Sequence, residues 1–132
     1  MSRASSNDMS TSHSYRDLEA WQVGMTVVQR LYTVTSRFPG EERFGLTAQL
    51  RRAAVSMPSN VAEGWARRSI RTYANHVSIA LGSHAEVETC LEIARRLGFL
   101  EQQEFDELMP TLNSTGRLLS ALYRSLEARS RG

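Results

Sequence analysis

The chain has 132 residues, 41% of them hydrophobic and 23% charged, with a net charge of +2. These values fit one globular domain and exclude a disordered chain, a fibrous one and a polycation. No apolar run reaches the roughly 18 residues that a bilayer demands, and "MSRASSNDMSTSHS" lacks the apolar stretch of a secretory leader.

That opening segment, residues 1–14, is polar and serine-rich and reads as a flexible tail. A folded domain is expected over residues 15–128, with a short C-terminal tail at 129–132. In the first helical segment Leu18, Trp21, Met25, Val28 and Tyr32 recur at alternating three- and four-residue intervals, the seam of a bundle helix. Asp17 and Glu19 suit its positive first turn, and Pro39 and Gly40 in "RFPGEERFG" end it.

A second segment covers residues 42–67, with Leu46, Leu50, Ala53, Met57, Val61 and Gly64 on one face. Pro58 stands inside it. Proline removes a helical hydrogen bond and clashes with the carbonyl four residues back, that of Ala54. Either Asn60 caps a new helix, with Glu63 completing a capping box, or one helix continues with a kink. About 25 residues at 1.5 Å each span roughly 37 Å, a length that matches the other segments, whereas a break leaves two short pieces. A continuous, kinked helix is therefore expected. A second apolar line, Ala48, Val55, Ala62 and Ala66, lies nearly opposite the first. The outer face of a monomer would carry charge there. Small apolar residues suggest a neighbouring helix and hence self-association, although alanine is also simply a good helix former.

The third segment opens at Ser69, a good N-cap. Its expected inner stripe is Ile70, Tyr73, Val77, Leu81, His84, Glu88 and Leu91, and Gly98 suits its C-terminal cap. Gly82, inside the periodic run, reads as a point of close helix packing. The fourth segment starts near Glu101, passes Pro110, and carries Phe105, Leu108, Leu112, Leu119, Leu122 and Leu126. Four amphipathic segments on short turns describe an all-α, antiparallel up-down-up-down four-helix bundle.

Chemistry is sparse. His84 and Glu88 are four apart and face inward, but a di-metal bundle needs Glu-x-x-His from two helices, and this chain has none. A His–Glu hydrogen bond is the better reading. Cys90 has no catalytic surroundings, falls off the inner stripe and reads as an inert thiol; a single cysteine also fits a reducing cytoplasm. Glu86 and Glu88 lie on different helix faces. No phosphate-binding glycine loop, zinc-type Cys/His set or nucleophile elbow occurs. The reading is a non-enzyme with no cofactor and no metal.

Every basic side chain other than histidine is an arginine. They cluster at Arg51–Arg52, at Arg67, Arg68 and Arg71, and at Arg95–Arg96, while "EQQEFDE" concentrates acid. If the second apolar line of helix 2 is an interface, symmetry repeats Arg51 and Arg52 around the assembly, and such a surface suits the phosphate backbone of RNA or DNA. The competing expectation is a purely structural self-associating protein whose arginines only solubilise it or pair with acids between subunits.

"YRDLEAWQVGM", "QLRRAAVSMPSNVAEGWARRS" and "YANHVSIALGSHAEVETCLEIARRLGFL" together resemble a four-helix-bundle family. Its founding members are encoded in the intervening sequences of bacterial 23S ribosomal RNA genes. The likeness spans roughly residues 15–126, and proline followed by Asn-x-Ala-Glu-Gly is its most specific part. It implies a cytoplasmic bundle continuous through the proline, a ring-shaped homopentamer and no known enzymatic activity. A related branch, the accessory protein of diversity-generating retroelements, implies a reverse transcriptase and nucleic acid as partners. Arg51 and Arg52 match that family's paired basic positions, and Arg67 follows its Ala-Glu-Gly motif. His84 stands where relatives carry an apolar residue.

Overall fold

The computed structural model describes residues 14–132, so the expected N-terminal tail lies, Ser14 apart, outside the described residues. Ser14 accepts a hydrogen bond from the Arg16 amide and starts a 3-10 turn at Tyr15–Asp17. Helix α1, Glu19–Thr35, follows and buries Ala20, Gly24, Val27, Leu31 and Val34. The expected seam is thus rotated by about one residue: Trp21 and Val28 are half-buried, and Met25 and Tyr32 are exposed. The cause is close approach to α2. A Cβ on Gly24 would lie 3.6 Å from the Pro58 ring, so Gly24 is the residue of α1 that meets the proline.

Helix α2, Leu46–Ala66, runs through Pro58 without interruption. It starts later than expected because Gly40–Glu42 forms a separate 3-10 turn, and the Glu42 carboxylate accepts the Leu46 amide hydrogen at 3.0 Å. The expected inner face is buried apart from half-buried Leu46, joined by Thr47, Ala54 and Pro58. Asn60 does not cap a new helix. Its amide instead donates to the Ser56 carbonyl and hydroxyl, each at 2.9 Å, inside one continuous helix. After α2, Arg68 adopts φ 56°, a left-handed conformation that glycine takes without strain and arginine does not.

Ser69 caps α3, Ile70–Arg96, by accepting from the Thr72 amide at 3.3 Å. Its core side holds Tyr73, Ala74, Val77, Ala80, Val87, Cys90, Leu91 and Ala94. Ile70, Leu81, His84 and Glu88 of the expected stripe are only half-buried, and Cys90, expected off the stripe, is 1% exposed. The buried line runs through Tyr73, Ala80, Val87 and Ala94, spaced by sevens, so small side chains that the expected stripe passed over face the core. Gly82 also corrects an expectation: it is exposed, and nothing would meet a Cβ there within 4 Å. Gly98, at φ 79°, closes the helix as expected; its amide donates to the Arg95 carbonyl and that of Phe99 to Ala94.

Helix α4, Gln102–Arg131, buries Leu108, Leu112, Thr115, Leu119, Leu122 and Leu126 and leaves Phe105 half-buried. It continues through exposed Pro110 and on to Arg131, so residues 129–131, expected as a tail, are helical. Each helix packs against its two neighbours around a square, with α1 against α4 and no close backbone approach across the diagonals among the described residues. Contacts run in opposite senses along every neighbouring pair. Arg30 reaches Thr111 while Arg37 reaches Glu104, and Gln49 reaches Glu86 while Asn60 reaches His76. The bundle is antiparallel throughout, and none of its described helices is long and apolar enough to cross a membrane.

Candidate nucleic-acid interface

Antiparallel order gathers the start of α1, the turn between α2 and α3, and the end of α4 at one end of the bundle. Arg16, Arg67, Arg68, Arg71, Arg124, Arg129 and Arg131 fall there, against Asp17, Glu19, Glu63 and Glu127. The opposite end reverses the balance. There Arg37 pairs with Glu104, and Arg95 and Arg96 both bind Glu92, whose carboxyl they hold at about 2. The acids of "EQQEFDE" add to that end. At the basic end the pairing is weak: Arg67 stands 3.5 Å from Glu63, and Arg131 the same distance from Glu127. Arg68, Arg71, Arg124 and Arg129 make no ion pair among the described residues.

Three of the arginines singled out in the sequence, Arg67, Arg68 and Arg71, therefore sit in a larger group whose other members come from chain segments far apart. Arg16 is held there by aromatic packing, its guanidinium 5.3 Å from the Trp21 ring and 5.7 Å from that of Tyr15, which packs edge-on against Trp65. On α4 the signal was present but unused: Arg117, Arg124 and Arg131 are seven apart and share a face.

Arg51 and Arg52 are adjacent in sequence and unlike in structure. Arg51 lies 4.3 Å over the Tyr32 ring, and its guanidinium donates to the Thr35 hydroxyl at 2.8 Å and the Tyr32 carbonyl at 3.3 Å. It ties the end of α1 to α2. Arg52 is exposed and makes no ion pair among the described residues. Arg51→Ala is expected to cost about 1 kcal/mol of stability, from the lost charged hydrogen bonds and ring contact. Arg52→Ala is expected to stay within about 0.5 kcal/mol of the parent, as surface changes do. Urea denaturation midpoints of the two variants measure the difference.

Along α2 the second apolar line is partly open to solvent: Val55 is 39% exposed, Ala66 is exposed, and Ala48 and Ala62 are half-buried. Beside Ala48 and Val55 the structure adds Phe44, 86% exposed, and Tyr32, so that a shallow depression carries both aromatic and arginine side chains. Neither aromatic was identified from the sequence, because Phe44 falls in a turn and Tyr32 in a seam expected to face inward.

His84 carries no metal-like surroundings, and no group of three His, Cys, Asp or Glu side chains converges among the described residues. Its Nε2 donates to the Leu112 carbonyl at 2.7 Å, and its Nδ1 stands 3.5 Å from Glu88, longer than the expected hydrogen bond. Cys90 is sealed in the core, where burial, assisted by the Glu86 charge, pushes its thiol pKa up and away from reactivity.

Comparison with known proteins agrees with this architecture. A crystal structure of a protein with unknown function from the S23 ribosomal protein family, from Bacteroides thetaiotaomicron VPI-5482, superposes with a TM-score of 0.73. That likeness covers 80% of this chain and 95% of that one at 19% identity, and so carries the fold alone. No curated protein sequence matches the chain. The family model described as 23S rRNA-intervening sequence protein matches residues 16–121, nearly all of the bundle. The chain belongs to the 23S rRNA-intervening sequence protein family.

Proposed function

We propose that the protein is a self-associating, non-catalytic binding protein that holds the phosphate backbone of nucleic acid on the arginines of its basic end. The observation that supports this most is the lack of ion-pair partners, among the described residues, for Arg68, Arg71, Arg124 and Arg129, whereas at the other end Arg37, Arg95 and Arg96 are paired with acids and only Arg43 is not. Arg68 adds to it. A left-handed arginine costs of order 1–3 kcal/mol, and such strain clusters at functional positions. Backbone contacts of this kind carry little sequence preference and strong salt dependence. Replacing Arg68 and Arg71 together by glutamine is expected to weaken binding of a labelled RNA or DNA strand. The slope of log affinity against log salt is expected to flatten by about 1.4, two single-strand contacts' worth. Wild-type protein that retains neither polymer at low salt removes the reading.

Self-association rests on separate residues. Exposed Phe44, Tyr32 and Val55 beside the small residues of α2 suit a second copy of the chain, and repetition of the basic end around a ring, a homopentamer in the assembly the resemblance implies, would raise effective concentration for a long polyanion. A protein that forms this ring without nucleic-acid affinity is the second reading, favoured by the same apolar patch. Val55→Glu is expected to shift sedimentation toward a single chain in either case. Nucleic-acid retention by the unsubstituted assembly decides between them, and a reverse transcriptase is the protein partner to include in that assay.

A further inference from the structure

A second cationic surface runs along the side of the bundle. The groove between α3 and α4, a cleft of about 570 Å³, presents Leu81 and His84 from one wall and Asn113, Arg117, Ser120 and Arg124 from the other. The four α4 residues follow four-three-four spacing, so their side chains share one face of the helix. Each is a hydrogen-bond donor. No carboxylate lines the cleft; Glu88 stands beside His84, one turn farther along α3. Arg117 and Arg124 are exposed and make no hydrogen bond or ion pair among the described residues.

The floor of this groove is built rather than incidental. The His84 side chain is only 12% exposed and fixed by its bond to the Leu112 carbonyl. Gly116 makes room for it, since a Cβ there would lie 2.7 Å from the ring. Above that floor stand two uncompensated arginines whose Cα positions, seven residues apart, are separated by about 10.5 Å along the helix axis, with a hydroxyl between them and an amide beyond. Planar guanidinium forks and neutral donors together match the oxygens of phosphate.

We propose that the α3–α4 groove binds phosphate groups. Resting on the nucleic-acid reading above, we assign its occupant as the backbone of a single strand that continues from the basic end past Arg124 to Arg117. A cleft between helices packed about 8–10 Å apart admits one backbone and not a duplex.

The test uses the full chain and a short labelled oligouridylate, followed by fluorescence anisotropy across a salt series. Arg117→Gln with Arg124→Gln is expected to lower affinity about tenfold and to flatten the salt slope by about 1.4, with the circular dichroism of wild type. An unchanged affinity in that variant, while Arg68→Gln with Arg71→Gln weakens binding, overturns the groove and leaves the basic end standing. If wild type binds no oligonucleotide, the nucleic-acid reading fails and pyrophosphate tests the groove alone. Pyrophosphate should then shift the His84 ring resonances of wild type and not those of the double variant; unmoved resonances in wild type overturn the phosphate site as well. Pyrophosphate shifts alongside oligonucleotide binding that ignores Arg117 and Arg124 overturn the strand and retain a site for free phosphate.

Discussion

Gly64→Ala is expected to destabilise the bundle by about 2 kcal/mol, despite alanine's better helix propensity. A Cβ at position 64 would lie 2.8 Å from the His76 Cβ, 2.9 Å from the Tyr73 ring and 3.2 Å from the Tyr73 Cα. The ring edge can rotate; the Tyr73 backbone cannot move without shifting α3. Overpacking of this kind costs about 1–3 kcal/mol and here exceeds the gain of about 1 kcal/mol from replacing a helical glycine. The displaced His76 also holds the Asn60 side chain at 2.9 Å, so a contact between α2 and α3 is disturbed with the packing. Gly82→Ala is the matched control. With nothing near its Cβ and an exposed site, it should gain about 1 kcal/mol from propensity alone. Chemical denaturation of both variants compares them directly; equal responses would show that α2 and α3 do not meet at Gly64.

Tyr73→Phe is expected to stabilise the protein by about 2 kcal/mol at neutral pH. The Tyr73 ring is 2% exposed, and its hydroxyl has no hydrogen-bond partner among the described residues. A buried donor left in this state costs about 1–3 kcal/mol, which removal of the oxygen recovers without leaving a large void. Burial also pushes the phenol pKa well above its ordinary value of 10.0. The folded state then keeps its proton at a pH where the unfolded chain has released it, so stability falls as pH rises above about 10, at up to about 1.4 kcal/mol per unit. Phenylalanine removes that contribution, and the variant's stability should decline less steeply in alkali. Tyr123, raised by its hydrogen bond to Glu127, keeps its own share of the slope in both proteins. Denaturation midpoints from pH 7 to 11 check both parts.

The four helices were legible because long segments with three- and four-residue apolar spacing have few other folds to adopt. Pro58 was legible too, through length: only an unbroken α2 matches its neighbours. Which side of each helix faces inward was less so. Reading by side-chain size placed Met25 and Tyr32 in the core and passed over Ala20 and Gly24, which are buried, Gly24 against Pro58. In α3 the same habit favoured His84 and Glu88 over Ala80 and Cys90. The arginine pairs were visible as letters, but their difference was not. Arg51 is committed to Tyr32 and Thr35 by a tertiary contact that adjacency in sequence does not encode, while Arg16 and Arg124 join the basic end only through topology.

The sealed position of Cys90 has a practical consequence. As the only cysteine in the chain, it gives a thiol reagent a single target that is reached only when the bundle opens. Labelling kinetics in dilute reagent therefore follow the opening equilibrium, and the unmodified protein reports its own breathing without an introduced probe. While the bundle stays closed, the same burial keeps the Cys90 thiol from forming a disulfide with another copy.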